Sequence, residues 1–324
     1  MIVSRTYYIV VLSIITVVLA PFAGNYALSL TEVFTFSGGD AEIFWRIRIP
    51  RVLMSFSAGA VLSICGMVFQ AVFRNPLASP YTLGVASGAS LGAALYFLLS
   101  TVAVMPAVHF GTPLFAFAGA LCAMLLVYGF GWLLKGDSIL LIGVALNFCF
   151  SSLIMFIQYT AGFVSSHRII RFMIGGLDSA SFFTVLVTVP FMAAGFIITM
   201  LYRRELDLII TGDEIAQSRG VDIVRMKYMF YIITSLMIGC VVSVTGPIGF
   251  VGMMAPHICR LLVGENHQKL APVVFLFGGA FLTACDTFAR TVIFPVEIPV
   301  GVITSMLGGP FFIFLLVQRR GKKV

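Results

Sequence analysis

The sequence predicts an all-α polytopic membrane protein, with one transmembrane domain covering residues 1–324. Composition carries the first part of this prediction, because 60% of the residues are hydrophobic and only 10% are charged, against roughly a quarter charged in soluble domains. The mean hydropathy is +1.07. The pattern carries the second part, since apolar runs of about 20 residues, the length that crosses a bilayer, alternate with short charged or turn-rich stretches.

Ten transmembrane helices are predicted when the apolar runs are taken in order. The first follows Arg5 and could be mistaken for a signal peptide, but its length and the nine runs behind it favour a retained helix. The eighth is short and is interrupted by Pro256. The predicted spans are 7–29, 50–72, 82–104, 113–134, 138–162, 182–202, 227–246, 247–263, 270–294 and 300–317.

The distribution of basic residues predicts the orientation. With the amino terminus inside, 14 of the 20 Lys and Arg residues lie in cytoplasmic segments and six lie outside. This asymmetry is the positive-inside bias of membrane proteins. We therefore expect both termini in the cytoplasm, and the formal net charge of +7 reflects topology instead of a nucleic-acid ligand.

Residues 203–226 form a polar segment between two long apolar runs, and the same orientation places it in the cytoplasm. Thr211 and Glu214 have the spacing of a capping box, which predicts a helix start. Gly220 supplies a residue that can end this helix in a left-handed conformation, and Asp222 is a second start signal. We expect a helix, a glycine bend and a second helix. An ordinary solvated loop is the alternative.

An inverted repeat is indicated by an offset of 180 residues between 58–76 and 238–256, which aligns two glycines, one valine and one serine and ends with Pro76 opposite Pro256. The first copy begins a helix that runs inward and the second begins one that runs outward. Inverted-topology repeats are common in membrane transporters. We predict that spans 2–5 and 7–10 are related halves.

Catalytic and metal-binding patterns are lacking. The sequence contains no GxxxxGK[ST], HExxH or GxSxG motif, and its six cysteines and four histidines show no ligand spacing. No metal site is expected. Asp286 is the main candidate for a buried carboxylate, and Arg290 follows it by one helical turn. We expect a structural ion pair between them, with a proton-relay role for Asp286 as the alternative.

Three stretches match a known family in order and spacing from about residue 45 onward. They are Arg48-Ile49-Pro50-Arg51 with Gly66, Gln70 and 73–80; Arg219-Gly220-Val221 of the polar segment; and 246–252, 255–258, Asp286, Arg290 and 297–301. On these residues the sequence resembles the FecCD-type permeases, the membrane subunits of ABC importers for iron-siderophores, haem and vitamin B12. The first span and residues 100–180 match only in hydropathy.

The resemblance implies the partners. Such permeases work as a pair of identical or paralogous subunits, above two ATP-binding subunits that hold ATP and magnesium, and a substrate-binding protein delivers the substrate from outside. No cofactor and no enzymatic activity are expected in this chain. The polar segment matches the family's coupling helices, which sit in a groove of the ATP-binding subunit. The matching residues are Thr211, Asp213, Glu214, Ala216, Arg219, Gly220 and Val221.

The resemblance also implies two further sets of residues. Arg48, Arg51 and Arg290 match arginines that engage acidic residues of the binding protein, although Arg48 and Arg51 are also typical interfacial anchors. The cytoplasmic gates match two turns, one containing Asn75 and Leu77 and the other Asp137 and Ser138, where Asp137 departs from the usual small hydroxyl residue.

We therefore expect the permease of an importer in the bacterial or archaeal cytoplasmic membrane, with a ferric siderophore as the first substrate expectation and haem or vitamin B12 behind it. An ion-gradient-driven secondary transporter, with the polar segment as a regulatory loop, is the alternative from another class. The absence of paired intramembrane carboxylates counts against it.

Overall fold

A computed structural model describes residues 2–24, 26–101, 111–133, 139–293 and 296–321, and within these ranges the chain is helical without β-strands. A π-helical segment, Ile43–Arg48, joins α3 to α4. The α-helices are Ile2–Leu19 (α1), Leu30–Thr35 (α2), Gly38–Glu42 (α3), Ile49–Val72 (α4), Val85–Thr101 (α5), Gly111–Leu133 (α6), Ile139–Thr160 (α7), Phe163–Ile174 (α8), Phe182–Leu201 (α9), Arg203–Thr211 (α10), Asp213–Ser218 (α11), Ile223–Thr245 (α12), Val251–Val263 (α13), His267–Thr291 (α14) and Val300–Gly321 (α15).

Ten of these helices correspond to the ten predicted spans. Six are long and apolar enough to cross a membrane, namely those that contain α4, α6, α7, α9, α12 and α14. Four shorter apolar helices within α1, α5, α13 and α15 account for the other predictions in the described part of the chain. The prediction of a polytopic helical fold is confirmed.

Helix α4 is the centre of the bundle. Within its most apolar stretch 89% of the residues are buried, compared with 17% for α9. It packs against α9, α12, α13 and α14. Glycine makes the closest of these approaches possible, because a β-carbon at Gly66 would overlap the carbonyl oxygen of Gly252 on α13. Small residues at such crossings allow helix backbones to approach closely in membranes.

The first predicted span is too long at its carboxyl end, because α1 ends at Leu19 and the prediction extended to residue 29. Pro21 lacks the N–H that a helix would need. The carbonyl oxygens of Pro21 and Phe22 accept hydrogen bonds from Arg48 instead of from a following helical turn. Only the start of this stretch packs into the bundle, because Ala20 and Pro21 are buried whereas Phe22 and Tyr26 are exposed.

Four helices outside the spans were not predicted, namely α2, α3, α8 and α10. Helix α8 follows α7 after a short break at 161–162, and α10 turns the first part of the polar segment into a helix. The two stretches aligned as a repeat agree locally only in part. Gly59 and Gly239 both lie within helices, whereas Gly66 lies in the middle of α4 and Gly246 ends α12 with a φ of 65°.

Candidate functional site

The polar segment (residues 203–226) packs onto one end of the bundle as two short helices and the start of α12. Helix α10 is amphipathic, and Leu206 and Ile209 on its inner face are fully buried. Helix α11 buries Ala216 and exposes Glu214 and the hydrophobic Ile215, which is 50% exposed. The polar segment is therefore an ordered element with a mixed polar and apolar outer face.

The predicted capping box at Thr211 and Glu214 is wrong. Thr211 is the last residue of α10, and its hydroxyl donates to the carbonyl oxygen of Leu208 at 2.7 Å. A threonine in helical conformation bonds back to the preceding turn and is not free to cap the next one. Gly212, with a φ of 134°, occupies the cap position of α11.

The other two signals of the polar segment are confirmed. Gly220 has a φ of 85° and provides the left-handed bend, while the side chain of Asp222 accepts a hydrogen bond from the backbone N–H of Arg225 at 3.1 Å and caps α12. Arg219, just before this bend, is exposed, and Val221, between Gly220 and Asp222, is half-buried.

Ion pairs join the polar segment to the rest of the bundle. Asp213 lies 2.8 Å from the Lys227 ammonium and 3.5 Å from the Arg74 guanidinium. Arg74 directly precedes the turn in which the side chain of Asn75 accepts a hydrogen bond from the backbone N–H of Leu77 at 2.9 Å. The first predicted gate thus adjoins the polar segment, whereas Asp137 and Ser138 lie outside the described residues.

A second link joins α10 to the start of α14. The Oδ1 atom of Asp207 accepts a hydrogen bond from the backbone N–H of His267 at 3.0 Å and lies 2.6 Å from the ring Nδ1. His267 is fully buried. A carboxylate beside the first residue of a helix accepts a hydrogen bond from an otherwise unpaired N–H, and the positive end of the helix dipole stabilises its negative charge. Asp207 therefore anchors α10 to α14.

The opposite end of the bundle contains a charge network of Arg51, Asp286 and Glu297. The Nε atom of Arg51 donates to both oxygens of Asp286 at 3.1 and 3.2 Å, and its Nη2 donates to Oδ1 at 3.0 Å. Its Nη1 donates to Glu297 at 2.7 Å. The Asp286 side chain is only 2% exposed. This pairing ties α4 to α14 and to the segment before α15.

The predicted partner of Asp286 is therefore only its second partner. Arg290 lies 4.0 Å from Asp286 on the same helix, at the limit of an ion pair, while Arg51 makes the short contacts. Arg290 donates through Nη2 to the carbonyl oxygen of Ala20. Arg51 outcompetes Arg290 because its guanidinium meets the carboxylate edge-on, which is the strongest geometry for this pair.

The three arginines expected at the binding-protein surface do not form an open patch in this chain. Arg48 is 6% exposed, and its guanidinium donates to the carbonyl oxygens of Pro21 and Phe22 and, at 2.7 Å, of Tyr26. Arg290 is 8% exposed. The carbonyls that they contact follow α1, where a helix leaves acceptors unpaired. Arg48 and Arg290 thus hold the end of α1.

Helices α4 and α14 connect the two ends. Arg51 lies at the start of α4 and Arg74 just beyond its last turn, whereas α14 begins at His267 and carries Asp286 in its last two turns. Helix α4 has 24 residues and α14 has 25, so each is roughly 36 Å long. The two antiparallel helices link the polar segment directly to the charge network across a bilayer's thickness.

Sequence reasoning gave no role to Glu297, Asp207 or His267. Glu297 was part of a matching motif, but its contact with Arg51 joins residues 246 positions apart, and no local spacing indicates such a pair. Among the described residues, no group of three His, Cys, Asp or Glu side chains is placed to hold a metal ion.

The sequence and the fold both resemble those of known proteins. The sequence profile of the FecCD transport family matches residues 11–318. The chain belongs to the FecCD transport family. It is a multi-pass membrane permease of the ABC importer type, which confirms the resemblance seen in the sequence.

Three similar proteins show the breadth of this family. The hemin transport permease HmuU of Yersinia pestis is 32% identical over 98% of this chain and 96% of its own length. The cobalamin import permease BtuC of Halobacterium salinarum is 38% identical over 86% of this chain and 74% of its own length. A solved structure described as a metal-chelate type ABC transporter in an inward-facing conformation has a TM-score of 0.86, with 26% identity and coverage of 98% of this chain and 99% of that chain.

Proposed function

We propose that this FecCD family permease moves a metal chelate across the cytoplasmic membrane, with a ferric siderophore first and haem or vitamin B12 as the alternatives. Three of the curated relatives are named for hemin, cobalamin and iron(III) citrate. All three are complexes of a transition metal in an organic ligand. A second permease subunit, two ATP-binding subunits with ATP and magnesium, and an extracytoplasmic binding protein complete the importer.

One observation carries the mechanism: the polar segment and the charge network lie at opposite ends of the same two helices, α4 and α14. Under this proposal both termini and the polar segment are cytoplasmic. The exposed face of α11 docks in the ATP-binding subunit, and movement of α11 reaches the Asn75–Leu77 turn through the Asp213 ion pairs. The arginine end faces the binding protein.

Reconstitution tests the proposal against ion-gradient transport. The chain is placed in liposomes with its ATP-binding subunit and binding protein, and uptake of a radiolabelled ferric siderophore, hemin or vitamin B12 is measured. We expect uptake of one of these only with ATP, and none when the nucleotide site of the ATP-binding subunit is inactivated. Uptake that persists with the inactive ATP-binding subunit and follows a proton gradient would instead identify a secondary transporter.

Gly220 tests the role of the polar segment. Gly220→Pro cannot adopt the φ of 85° because proline fixes φ near −65°, and it removes the N–H that donates to the carbonyl oxygen of Gln217 at 2.9 Å. We expect transport to fall at least about tenfold, equivalent to ~1.4 kcal/mol of lost coupling, while the chain still inserts into the membrane.

Gly220→Asn is the matched control at the same position, because asparagine tolerates the left-handed conformation. It should retain most transport and most stimulation of ATP hydrolysis by the binding protein. Equal activity of the proline and asparagine variants would contradict a coupling role for this bend.

A further inference from the structure

Arg51 has two carboxylate partners that differ sharply in their access to solvent. The Asp286 side chain is 2% exposed and occupies Nε and Nη2 of the guanidinium, whereas the Glu297 side chain is 52% exposed and occupies Nη1 at 2.7 Å. Because removal of a buried partner leaves a buried charge unpaired, Asp286 is fixed. A half-exposed carboxylate that leaves is simply hydrated, so only Glu297 is exchangeable.

The backbone near Glu297 indicates how such an exchange would occur. Residues 296–299 are not helical, but the N–H of Ile298 donates to the carbonyl oxygen of Ala289 at 3.2 Å and holds the backbone against α14. The Glu297 side chain can therefore leave Arg51 by rotation about its own bonds, without movement of the segment. The Nη1 atom of Arg51 would then face solvent.

The local charge explains why an acidic partner needs such an exchange. Two arginines, Arg51 and Arg290, lie beside two carboxylates, Asp286 and Glu297, so these four side chains have a formal net charge of zero. A guanidinium edge pairs with a carboxylate more specifically than an ammonium does. A partner carboxylate that pairs with Nη1 of Arg51 competes with Glu297 for that nitrogen.

We propose that Glu297 occupies the docking position of Arg51 and is displaced by an aspartate or glutamate side chain of the binding protein. This inference rests on the proposed function, in which the arginine end faces that protein. Glu297 is then an internal competitor that weakens docking in the resting permease and lets the binding protein leave after delivery. The partner is identified by its chemistry, a surface carboxylate on a soluble protein.

Removal of the competitor should strengthen docking, which is the opposite of what loss of an ordinary interface residue does. We expect Glu297→Gln to bind the cognate binding protein roughly three- to fivefold more tightly, the range of one exposed ion pair. Glu297→Asp keeps the charge but shortens the side chain, and it should also bind more tightly. Affinity is measured by biolayer interferometry on the intact permease–ATPase complex in nanodiscs.

Glu42→Gln is the matched control. Glu42 precedes the π-helical segment at the same end, is exposed, and pairs with Arg46 and not with Arg51. Glu42→Gln removes the same charge as Glu297→Gln but frees no contact of Arg51. It should therefore alter the affinity by less than about 1.5-fold. Equal tightening by Glu42→Gln and Glu297→Gln, or no change in Glu297→Asp, would show a general charge effect and overturn the exchange.

The same binding measurements distinguish a failure of the proposed function from a failure of the competitor role of Glu297. If the wild-type complex does not bind its binding protein, the importer assignment of this end is wrong, and the exchange is overturned with it. If the wild type binds and Glu297→Gln binds equally or more weakly, docking stands and only the competitor role of Glu297 is lost.

Discussion

Replacing Gly66 with alanine is expected to prevent the helical bundle from assembling. A β-carbon there would overlap the carbonyl oxygen of Gly252, a backbone atom that cannot move unless α13 moves. Overpacked sites usually cost 1–3 kcal/mol, and a backbone clash in the most buried helix belongs at or above the upper end, at least about 3 kcal/mol. The measurement is the amount of monodisperse protein extracted from membranes and its thermal unfolding midpoint in detergent.

Gly129→Ala is the control for this substitution. Gly129 also lies within a membrane helix, α6, but it is exposed, and no atom lies within 4 Å of an added β-carbon. Alanine there should be neutral or slightly stabilising, by up to about 1 kcal/mol. Yields and midpoints that are the same for both variants would show that α4 and α13 do not approach at Gly66.

The second large effect is expected for Asp286→Asn, which leaves the buried Arg290 and the half-buried Arg51 without their shared carboxylate. Breaking a buried ion pair from one side costs about 3–5 kcal/mol, so we expect a large loss of folded protein. Arg51 makes the short contacts with Asp286 and Arg290 lies at 4.0 Å, so the two arginines should differ as second-site changes. The thermal unfolding midpoint measures each variant.

The double variant Asp286→Asn/Arg51→Gln should recover more folded protein than Asp286→Asn/Arg290→Gln. The first removes the charge that depended most on Asp286, whereas the second leaves Arg51 with Glu297 alone. The reverse order of recovery would show that the pair within α14 is the stronger one. Proton-driven uptake without ATP that is lost only in Asp286→Asn would support the relay alternative.

The spans could be predicted from the sequence because apolarity over about 20 residues is a local property that the bilayer imposes directly. The ends of the helices were harder to predict where distant residues decide them. Helix α1 ends early beside Arg48 and Arg290, which lie on other parts of the chain. Thr211 and Glu214 have the right spacing for a capping box, but α10 had already included Thr211.

The charge network shows the same limit within the site. Helical spacing correctly placed Arg290 on the face of Asp286, but the better-placed guanidinium comes from Arg51, 235 residues away. Asp207 and His267 are likewise 60 residues apart. Local rules identify residues that can form an ion pair, and only the packing of α4 against α14 decides which pair forms.

The hold on the end of α1 has a consequence for biogenesis. Arg290, which donates to the carbonyl of Ala20, is 270 residues further along the chain. The ribosome therefore releases α1 into the bilayer long before α14 exists, and until then the end of α1 has only the contacts with Arg48. A polypeptide that terminates before α14 would lack the Arg290 contact and hold the end of α1 through Arg48 alone, which would leave this end less firmly packed in the membrane.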